Sequence, residues 1–124
     1  MKKLLLVMLL FGTMTFAQET FVNKYTWYIT KENGILQEEK DAVVTVVFNE
    51  KKTKDIVLYY ENGKSVRYLS YGGAEKGETN SGNKYQTIKA IDSVDGLEVL
   101  IQLFDETSTL RIIIAEGWYI EFHK

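Results

Sequence analysis

Residues suited to metal binding or nucleophilic catalysis are almost absent from this sequence. It contains one histidine, His123, at the second-last position, and no cysteine. A zinc site normally needs several nitrogen or sulfur ligands, and a nucleophilic triad needs a histidine beside a nucleophile and a carboxylate. The sequence shows neither arrangement. We therefore expect no transition metal, no cofactor and no catalytic residue of these kinds.

Carboxylates are the remaining candidates for acid–base chemistry. The chain has 17 acidic residues, and a β-fold can bring two of them together from distant positions. Asp92 and Asp95 lack the further oxygen ligands and the terminal glutamate of a calcium loop, and Asp95-Gly96 is typical of a hairpin turn. The sequence does not indicate which two carboxylates would form such a pair. A hydrolase that uses two carboxylates therefore stays open as an alternative without assigned residues.

The best candidates for a binding site are tyrosines beside a glycine-rich segment. Residues 72–84 form the longest polar connection, and binding residues concentrate on such loops. Their glycines match neither a phosphate-binding loop nor a dinucleotide fingerprint, and a mobile surface loop is the alternative interpretation. Tyrosine suits recognition surfaces, although it also suits strands. The candidate binding residues are Tyr68, Tyr71, Gly72, Gly73, Asn80 and Tyr85.

The N-terminus is typical of a secretory signal peptide. Two lysines precede the apolar run Leu4–Phe11, which is long enough for a signal peptide and too short to span a bilayer. Thr15-Phe16-Ala17 fits a small-x-small cleavage site. An uncleaved anchor helix is the alternative, but Gly12 ends the apolar run too early for one. We expect cleavage after Ala17.

Cleavage would leave residues 18–124 as one secreted or periplasmic domain with no membrane span. Loss of Lys2 and Lys3 lowers the 15 basic residues to 13 against 17 acidic ones, a net charge of −4. Nucleic acids and anionic membranes are poor partners for such a chain, because both require clustered basic residues. Without cysteine, no disulfide can stabilise the fold, so its stability depends on the core.

Hydrophobicity with a period of two predicts an all-β fold. No segment has a convincing helical period, and the best helix candidate, residues 35–41, is short and mostly charged. The predicted strands cover residues 21–30, 42–48, 56–60, 65–71, 85–91, 97–103, 110–114 and 118–123.

Glycine-containing pairs divide the strands. Asn62-Gly63 and Asp95-Gly96 are typical of type I′ hairpin turns, which need positive φ at both central residues. Asn33-Gly34 and Glu116-Gly117 fit two further turns. Short links make neighbouring strands antiparallel. We therefore predict an up-and-down meander of about eight strands that forms a small barrel or a rolled sheet, with a two-sheet sandwich as the alternative.

Large side chains should fill the interior of this barrel. An eight-stranded barrel either packs its own side chains inside or holds one small ligand. The residues expected to point inward are mostly bulky: Val44, Val46, Phe48, Ile56, Leu58, Val99, Ile101, Leu103, Ile112, Ile114, Ile120 and Phe122. We expect little room among them for a ligand.

Thr26-Trp27-Tyr28-Ile29 near the N-terminus and Arg111 in a late strand resemble a lipocalin pattern. In that family a first-strand tryptophan packs against a late arginine at the closed end of an eight-stranded barrel. The glycine that precedes the family's tryptophan motif is replaced by Tyr25, and its second motif is absent. The resemblance implies structural roles for Trp27 and Arg111, and a small apolar ligand.

These observations favour an exported, non-enzymatic binding module that recognises a protein or glycan partner through its surface. A lipocalin-like carrier of a small apolar ligand is the second hypothesis, and a hydrolase with a carboxylate pair is the third. This ranking rests on the lack of a catalytic motif, on the expected filled interior and on the abundant tyrosines.

Overall fold

A computed structural model describes residues 20–49 and 55–124, which form nine β-strands. The expected signal peptide and its cleavage site lie outside the described residues. No helix within the described ranges is long and apolar enough to cross a membrane. The strands are β1 (Phe21–Glu32), β2 (Ile35–Leu36), β3 (Lys40–Phe48), β4 (Asp55–Tyr60), β5 (Ser65–Glu78), β6 (Lys84–Asp92), β7 (Glu98–Phe104), β8 (Leu110–Ala115) and β9 (Trp118–His123).

The eight longer strands form a closed antiparallel barrel. From β3 onward each strand pairs with the next along the chain, and β1 pairs with β3 on one side and with β9 on the other. The pairing of β1 with β9 closes the barrel and removes the open edges of the sheet. The predicted meander and barrel are confirmed, and the two-sheet sandwich is excluded.

The short strand β2 extends the hairpin that β1 and β3 form. Asn33 and Gly34 both have positive φ, 52° and 80°, as a two-residue type I′ turn requires. Glu32 pairs with Ile35 directly across this turn. Residues 35–41, the best helix candidate, therefore contain β2 and the beginning of β3 instead of a helix.

Two other hairpins are present, but their predicted turn type is wrong. In Asn62-Gly63 only Gly63 has positive φ, 85°, and the amide of Tyr60 donates to the carbonyl of Lys64. In Asp95-Gly96 only Gly96 has positive φ, 74°. Both loops are longer than two residues, so a single glycine in the left-handed region closes each of them.

The predicted loop at residues 72–84 is mostly strand. β5 pairs with β6 up to Tyr71, shifts register between Tyr71 and Glu75, and pairs again as far as Glu78. Gly72 lies in this bulge with a φ of 74°. Because the bulge absorbs the extra residues, pairing resumes, and only residues 79–83 connect the two strands. The prediction of one long surface loop is therefore wrong.

The barrel is filled by a single cluster of buried side chains, most of which have no accessible surface. A ligand-sized cavity would leave accessible surface on the side chains around it, so close packing agrees with the expected filled interior. The core consists of Tyr25, Val44, Val46, Phe48, Ile56, Leu58, Ile88, Ala90, Val99, Ile101, Leu103, Leu110, Ile112 and Phe122.

Two residues expected to point inward differ from this core. Ile120 is only partly buried, although it packs against the cluster. Ile114 is 47% exposed, because the pairing of β8 with β9 shifts register between Ile113 and Ala115. A bulge of this kind turns a side chain away from the face that strict alternation predicts.

Candidate functional site

A groove lies on the barrel wall where the pairing of β7 with β8 ends. Their pairing joins Leu100–Leu103 to Leu110–Ile113, although β7 begins at Glu98 and β8 ends at Ala115. The strand ends beyond this pairing form the two sides of the groove, whose volume is about 320 Å³. Its lining residues are Tyr71, Lys89, Glu98, Val99, Leu100, Ile113, Ile114, Ala115 and Glu116.

The floor of the groove is apolar and open to solvent. Tyr71, Leu100 and Ile114 are 39%, 38% and 47% exposed, which is unusual for large apolar side chains that share one depression. Val99, a residue of the barrel core, also lines the groove. The groove therefore reaches inward to the edge of the packed interior.

Charged side chains border this floor. Glu98, at the start of β7, and Glu116, just after β8, lie at the end where the strands are apart. Lys89 lies on β6 opposite Leu100, where the pairing of β7 with β8 begins. The groove is thus acidic at its open end and basic at its closed end.

Tyr71 belongs to a row of residues that crosses four strands. It pairs with Lys89, which pairs with Leu100, which pairs with Ile113. Paired residues of neighbouring strands lie on the same face of a sheet. This register brings Tyr71 to the groove, so one candidate from the sequence lies at the site.

The other polar candidates of the same hairpin lie apart from the groove lining. Gly72 and Gly73 are exposed residues of the β5 bulge. Asn80 is exposed in the connection between β5 and β6. The structure does not bring these three residues together with Tyr71 in one pocket.

Tyr85 packs along the wall of the barrel. Its ring lies 5.3 Å from the ring of Phe104, with a tilted geometry. The same ring covers Gly77, where an added Cβ would lie 2.6 Å from the Tyr85 Cζ. Tyr85 therefore fills the space that a glycine leaves on the neighbouring strand.

Tyr68 packs against the barrel core and so faces away from the groove. It pairs with the buried residue Ile56 and belongs to the partly buried layer that covers the core. Burial, with smaller contributions from Tyr60, Asp92 and Asp95, raises the pKa of Tyr68 to about 12. Burial also raises the pKa of Tyr60. Both phenols therefore stay protonated throughout the physiological range.

A second cluster on the outer wall is centred on Arg111. Its Nε lies 2.5 Å from a carboxylate oxygen of Glu121, and its guanidinium carbon lies 4.6 Å from the ring centre of Tyr119 and 5.4 Å from that of Phe104. Glu121 also contacts His123 through a 2.7 Å bond to Nε2. The guanidinium is thus held by one carboxylate and two aromatic rings.

Trp27 joins the same cluster through His123. The two rings are stacked, with centres 4.0 Å apart and planes 8° from parallel. The lipocalin resemblance implies direct packing of Trp27 on Arg111, whereas here His123 and Glu121 connect the two residues. Both residues lie within one network of contacts on the barrel wall, and the structural roles expected for them stay a prediction.

No group of three or more histidine, cysteine, aspartate or glutamate residues in the described part of the chain is placed to hold a metal ion. The groove lining offers apolar contact, two carboxylates and one ammonium group.

Sequence reasoning missed most of the groove. Ile112-Ile113-Ile114 carried a usable signal, because three successive apolar residues on a strand cannot all face the core. Leu100, between the inward residues Val99 and Ile101, carried the same signal. The separation of β7 from β8, which turns these exposed residues into a groove, has no comparable signature in the sequence.

Comparison of the chain with protein-family models, with curated proteins and with solved structures finds no match.

Proposed function

We propose that this chain is an exported, non-enzymatic binding module that recognises a protein partner through the groove between β7 and β8. The observation that carries the proposal is the exposure of Tyr71, Leu100 and Ile114 in one depression with charged borders. Contiguous apolar surface with a polar rim is characteristic of interaction sites. Its burial by a partner would provide the main driving force for binding.

A protein fits this surface better than a glycan. The apolar groove residues are Tyr71 and the aliphatic residues Val99, Leu100, Ile113 and Ile114. Sugar rings are typically held by aromatic stacking and by many side-chain hydrogen bonds, and this groove has one aromatic ring. Aliphatic side chains are better matched by the apolar side chains of a protein.

The lipocalin-like carrier remains the second candidate, because a closed eight-stranded barrel is the architecture that it needs. A drug-sized ligand needs a pocket of about 300 Å³ or more. The packed core favours the outer groove over the interior as the binding region. Native mass spectrometry of protein purified from its own cells separates the two: a stoichiometric lipid or pigment would support the carrier.

Site-specific photo-crosslinking tests the proposal directly. A photo-reactive amino acid at Leu100, in the groove, is compared with the same amino acid at Lys24, an exposed position on β1. We expect a discrete protein adduct in the protein's own cells from Leu100 and none from Lys24.

The substitution Ile114→Asp provides the matched test of the groove. Because Ile114 is only half exposed and aspartate is a poor strand residue, we expect its replacement to cost about 1–2 kcal/mol in the free energy of unfolding, to leave the protein folded and to abolish the adduct. Equal adducts from both crosslinker positions, or an adduct that survives Ile114→Asp, would contradict the proposal.

A further inference from the structure

We infer that one end of the barrel binds a small organic cation, a primary ammonium group on an apolar body, through three tyrosines and one aspartate. These residues are Tyr28, Tyr60, Tyr68 and Asp92, and none of them lines the groove. The inference therefore goes beyond the proposed function and does not depend on it. It follows from the burial of the inward residues, from three hydroxyls without a protein partner and from the charge around them.

The interior of the barrel is closed at one end and accessible at the other. Paired residues form rows across the strands, and burial falls along each row toward the same end. Tyr25 and its partner Val44 are fully buried, whereas the next residue of the row, Tyr60, is partly exposed. Phe122 is fully buried, whereas its partner Tyr28 is partly exposed. The accessible end, here called the open end, carries the connections from β1 to β3, from β4 to β5 and from β6 to β7. At the closed end the inward residues stay buried: Phe48, Gln86, Leu103 and Leu110.

A third row brings a carboxylate to the open end. Ile56 is buried, its partner Tyr68 is partly exposed, and Tyr68 pairs in turn with Asp92. Because paired residues share one face of a sheet, Asp92 lies on the inward face beside Tyr68. One oxygen of Asp92 accepts a hydrogen bond of 2.8 Å from the amide of Val94. This bond holds the carboxylate at the rim of the open end.

The three phenol hydroxyls lie near one another and have no partner in the protein. Burial raises the pKa of both Tyr60 and Tyr68, and Tyr28 adds to the shift of Tyr60 as Tyr60 adds to that of Tyr68. Such effects act between neighbouring groups. Within residues 20–49 and 55–124, none of these three hydroxyls hydrogen-bonds to another protein group. The Tyr25 hydroxyl in the core, by contrast, has two partners. Three half-buried polar groups are thus available to a ligand.

The charge around the open end favours a cation. Residues 32–41, 61–64 and 92–97 surround it and include seven acidic residues and two lysines. A surface of one charge sign raises the local concentration of ligands of the opposite sign. An ammonium group can donate to the phenol oxygens and to the Asp92 carboxylate together, and the tyrosine ring faces also attract it. An anion is repelled by the same carboxylates.

The packed core limits this ligand to a small one with an apolar body. Val44 and Ala90 have no accessible surface, so the ligand stays at the level of the phenols. β3, the strand between those of Tyr28 and Tyr60, presents the small side chain of Ala42 toward the core. A small residue at this point leaves room between the two tyrosines. Ring faces and a methyl group there offer apolar contact to the body of the ligand.

Binding to the purified protein is measured with three compounds that share one apolar body. The probe is cyclohexylmethylamine, which is protonated at neutral pH, and its controls are the neutral cyclohexylmethanol and the anionic cyclohexanecarboxylate. We expect the amine to bind at least about tenfold more tightly than the alcohol, and the carboxylate to bind least. In NMR titrations the amide shifts should be concentrated at Tyr28, Tyr60, Tyr68 and Asp92, and not in the groove.

Removal of the Asp92 charge supplies the matched variant. Asp92→Asn keeps an oxygen for the Val94 amide, so the protein should fold, and its affinity for the amine should fall about tenfold. The control Glu106→Gln removes the same charge from an exposed position in the connection between β7 and β8, at the closed end. It should leave the affinity within about twofold of the parent value, because solvent screens exposed charges at this distance.

Lys40 provides a test in the opposite direction. It pairs with Tyr28 and so shares its face, and its charge competes with a bound ammonium group. Lys40→Met should therefore raise the affinity for the amine about threefold without changing that for the alcohol. Equal affinities for the amine and the alcohol, tighter binding of the carboxylate, an unchanged affinity in Asp92→Asn, or shifts confined to the groove would each overturn the inference. None of these results affects the crosslinked adduct from Leu100, which tests the proposed function separately.

Discussion

The hydroxyl of Tyr25 donates a hydrogen bond of 2.5 Å to the backbone carbonyl of Ser108, 83 positions further along the chain. Tyr25 is fully buried on β1, and Ser108 is buried in the connection between β7 and β8. The side-chain amide of Asn23 donates to the same hydroxyl at 3.2 Å. One phenol therefore links the first strand to a turn late in the chain. Buried polar groups need such partners, because an unpaired one is costly.

Replacement of this hydroxyl should destabilise the barrel. In the variant Tyr25→Phe the Ser108 carbonyl and the Asn23 amide both lose a partner in a buried setting, and we expect a loss of about 1–3 kcal/mol in the free energy of unfolding. Urea unfolding measures it. The control Tyr71→Phe removes a hydroxyl from an exposed side chain and should change stability by less than about 0.5 kcal/mol. Similar losses in the free energy of unfolding for both variants would show that the hydrogen bonds of the Tyr25 hydroxyl stabilise the fold no more than an exposed hydroxyl does.

Alkaline pH should destabilise the protein through its buried phenols. Burial raises the pKa of Tyr68 from 10.0 to about 12 and raises the pKa of Tyr25 further. The folded state then keeps protons that the unfolded chain loses. The resulting stabilisation is complete below pH 10 and declines as the pH rises from 10 toward the folded pKa values. Each phenol contributes at most about 1.4 kcal/mol per pH unit, and Tyr68, which is partly exposed, contributes less.

Urea unfolding at a series of pH values checks this dependence. The variant Tyr68→Phe should lose stability less steeply above pH 10 than the parent protein, because one proton difference between the states is gone. If Tyr68→Phe keeps the parent slope, the phenol of Tyr68 is not protected in the folded state.

The strands could be predicted because burial on one face leaves a period of two in the sequence. Leu97, Val99, Ile101 and Leu103 show this alternation, and the last three of them are buried in the core. The turn residue Gly63 was equally informative about the position of its hairpin. The turn type of this hairpin depends on how many residues lie between the last paired residues of its two strands. The alternation of apolar and polar residues does not show that number.

The bulges could not be predicted, and they decide where the candidate site lies. Gly72 looked like part of a flexible loop, whereas it lies in a bulge after which β5 resumes pairing with β6. The bulge at Ile114 moves a residue expected in the core into the groove. A one-residue insertion changes which face a side chain occupies, and only the pairing partners determine where it occurs.

Arginine, rather than any cation, should be required at position 111. In the variant Arg111→Lys the charge remains, but the Nε donor to Glu121 and the planar group between Phe104 and Tyr119 are lost. We expect a loss of about 1 kcal/mol in the free energy of unfolding, since partly exposed ion pairs and cation–π contacts each contribute up to about that amount.

The variant Lys31→Met is the control for this effect. The Nζ of Lys31, on β1, lies 5.9 Å from the ring centre of Tyr119. Replacing Lys31 therefore removes a cation from the same ring without breaking the bond between Arg111 and Glu121. We expect it to cost no more than about half as much as Arg111→Lys in urea unfolding. An Arg111→Lys variant as stable as the parent protein would mean that charge alone, and not the shape of the guanidinium, stabilises this wall.

Gly77 and Tyr85 should behave as a coupled pair. A Cβ at position 77 would lie 2.6 Å from Cζ and 2.8 Å from Cε2 of the Tyr85 ring, so the variant Gly77→Ala must displace that ring from its contact with Phe104. Forced displacement in a packed contact typically costs about 1–3 kcal/mol. The variant Gly73→Ala is the matched control, because no atom lies within 4 Å of its added Cβ and its φ is not in the left-handed region; it should be neutral or slightly stabilising.

A double-mutant cycle separates this clash from the ordinary cost of placing alanine at position 77. Tyr85→Ala loses the ring contact with Phe104 and should destabilise the barrel, but it also removes the atoms that the new Cβ would meet. The double variant should therefore be more stable than the sum of the two single losses predicts, with a coupling free energy of about 0.5–3 kcal/mol. Urea unfolding of the four proteins gives this coupling. If the stability losses of Gly77→Ala and Tyr85→Ala are additive, the Tyr85 ring does not clash with a Cβ at position 77.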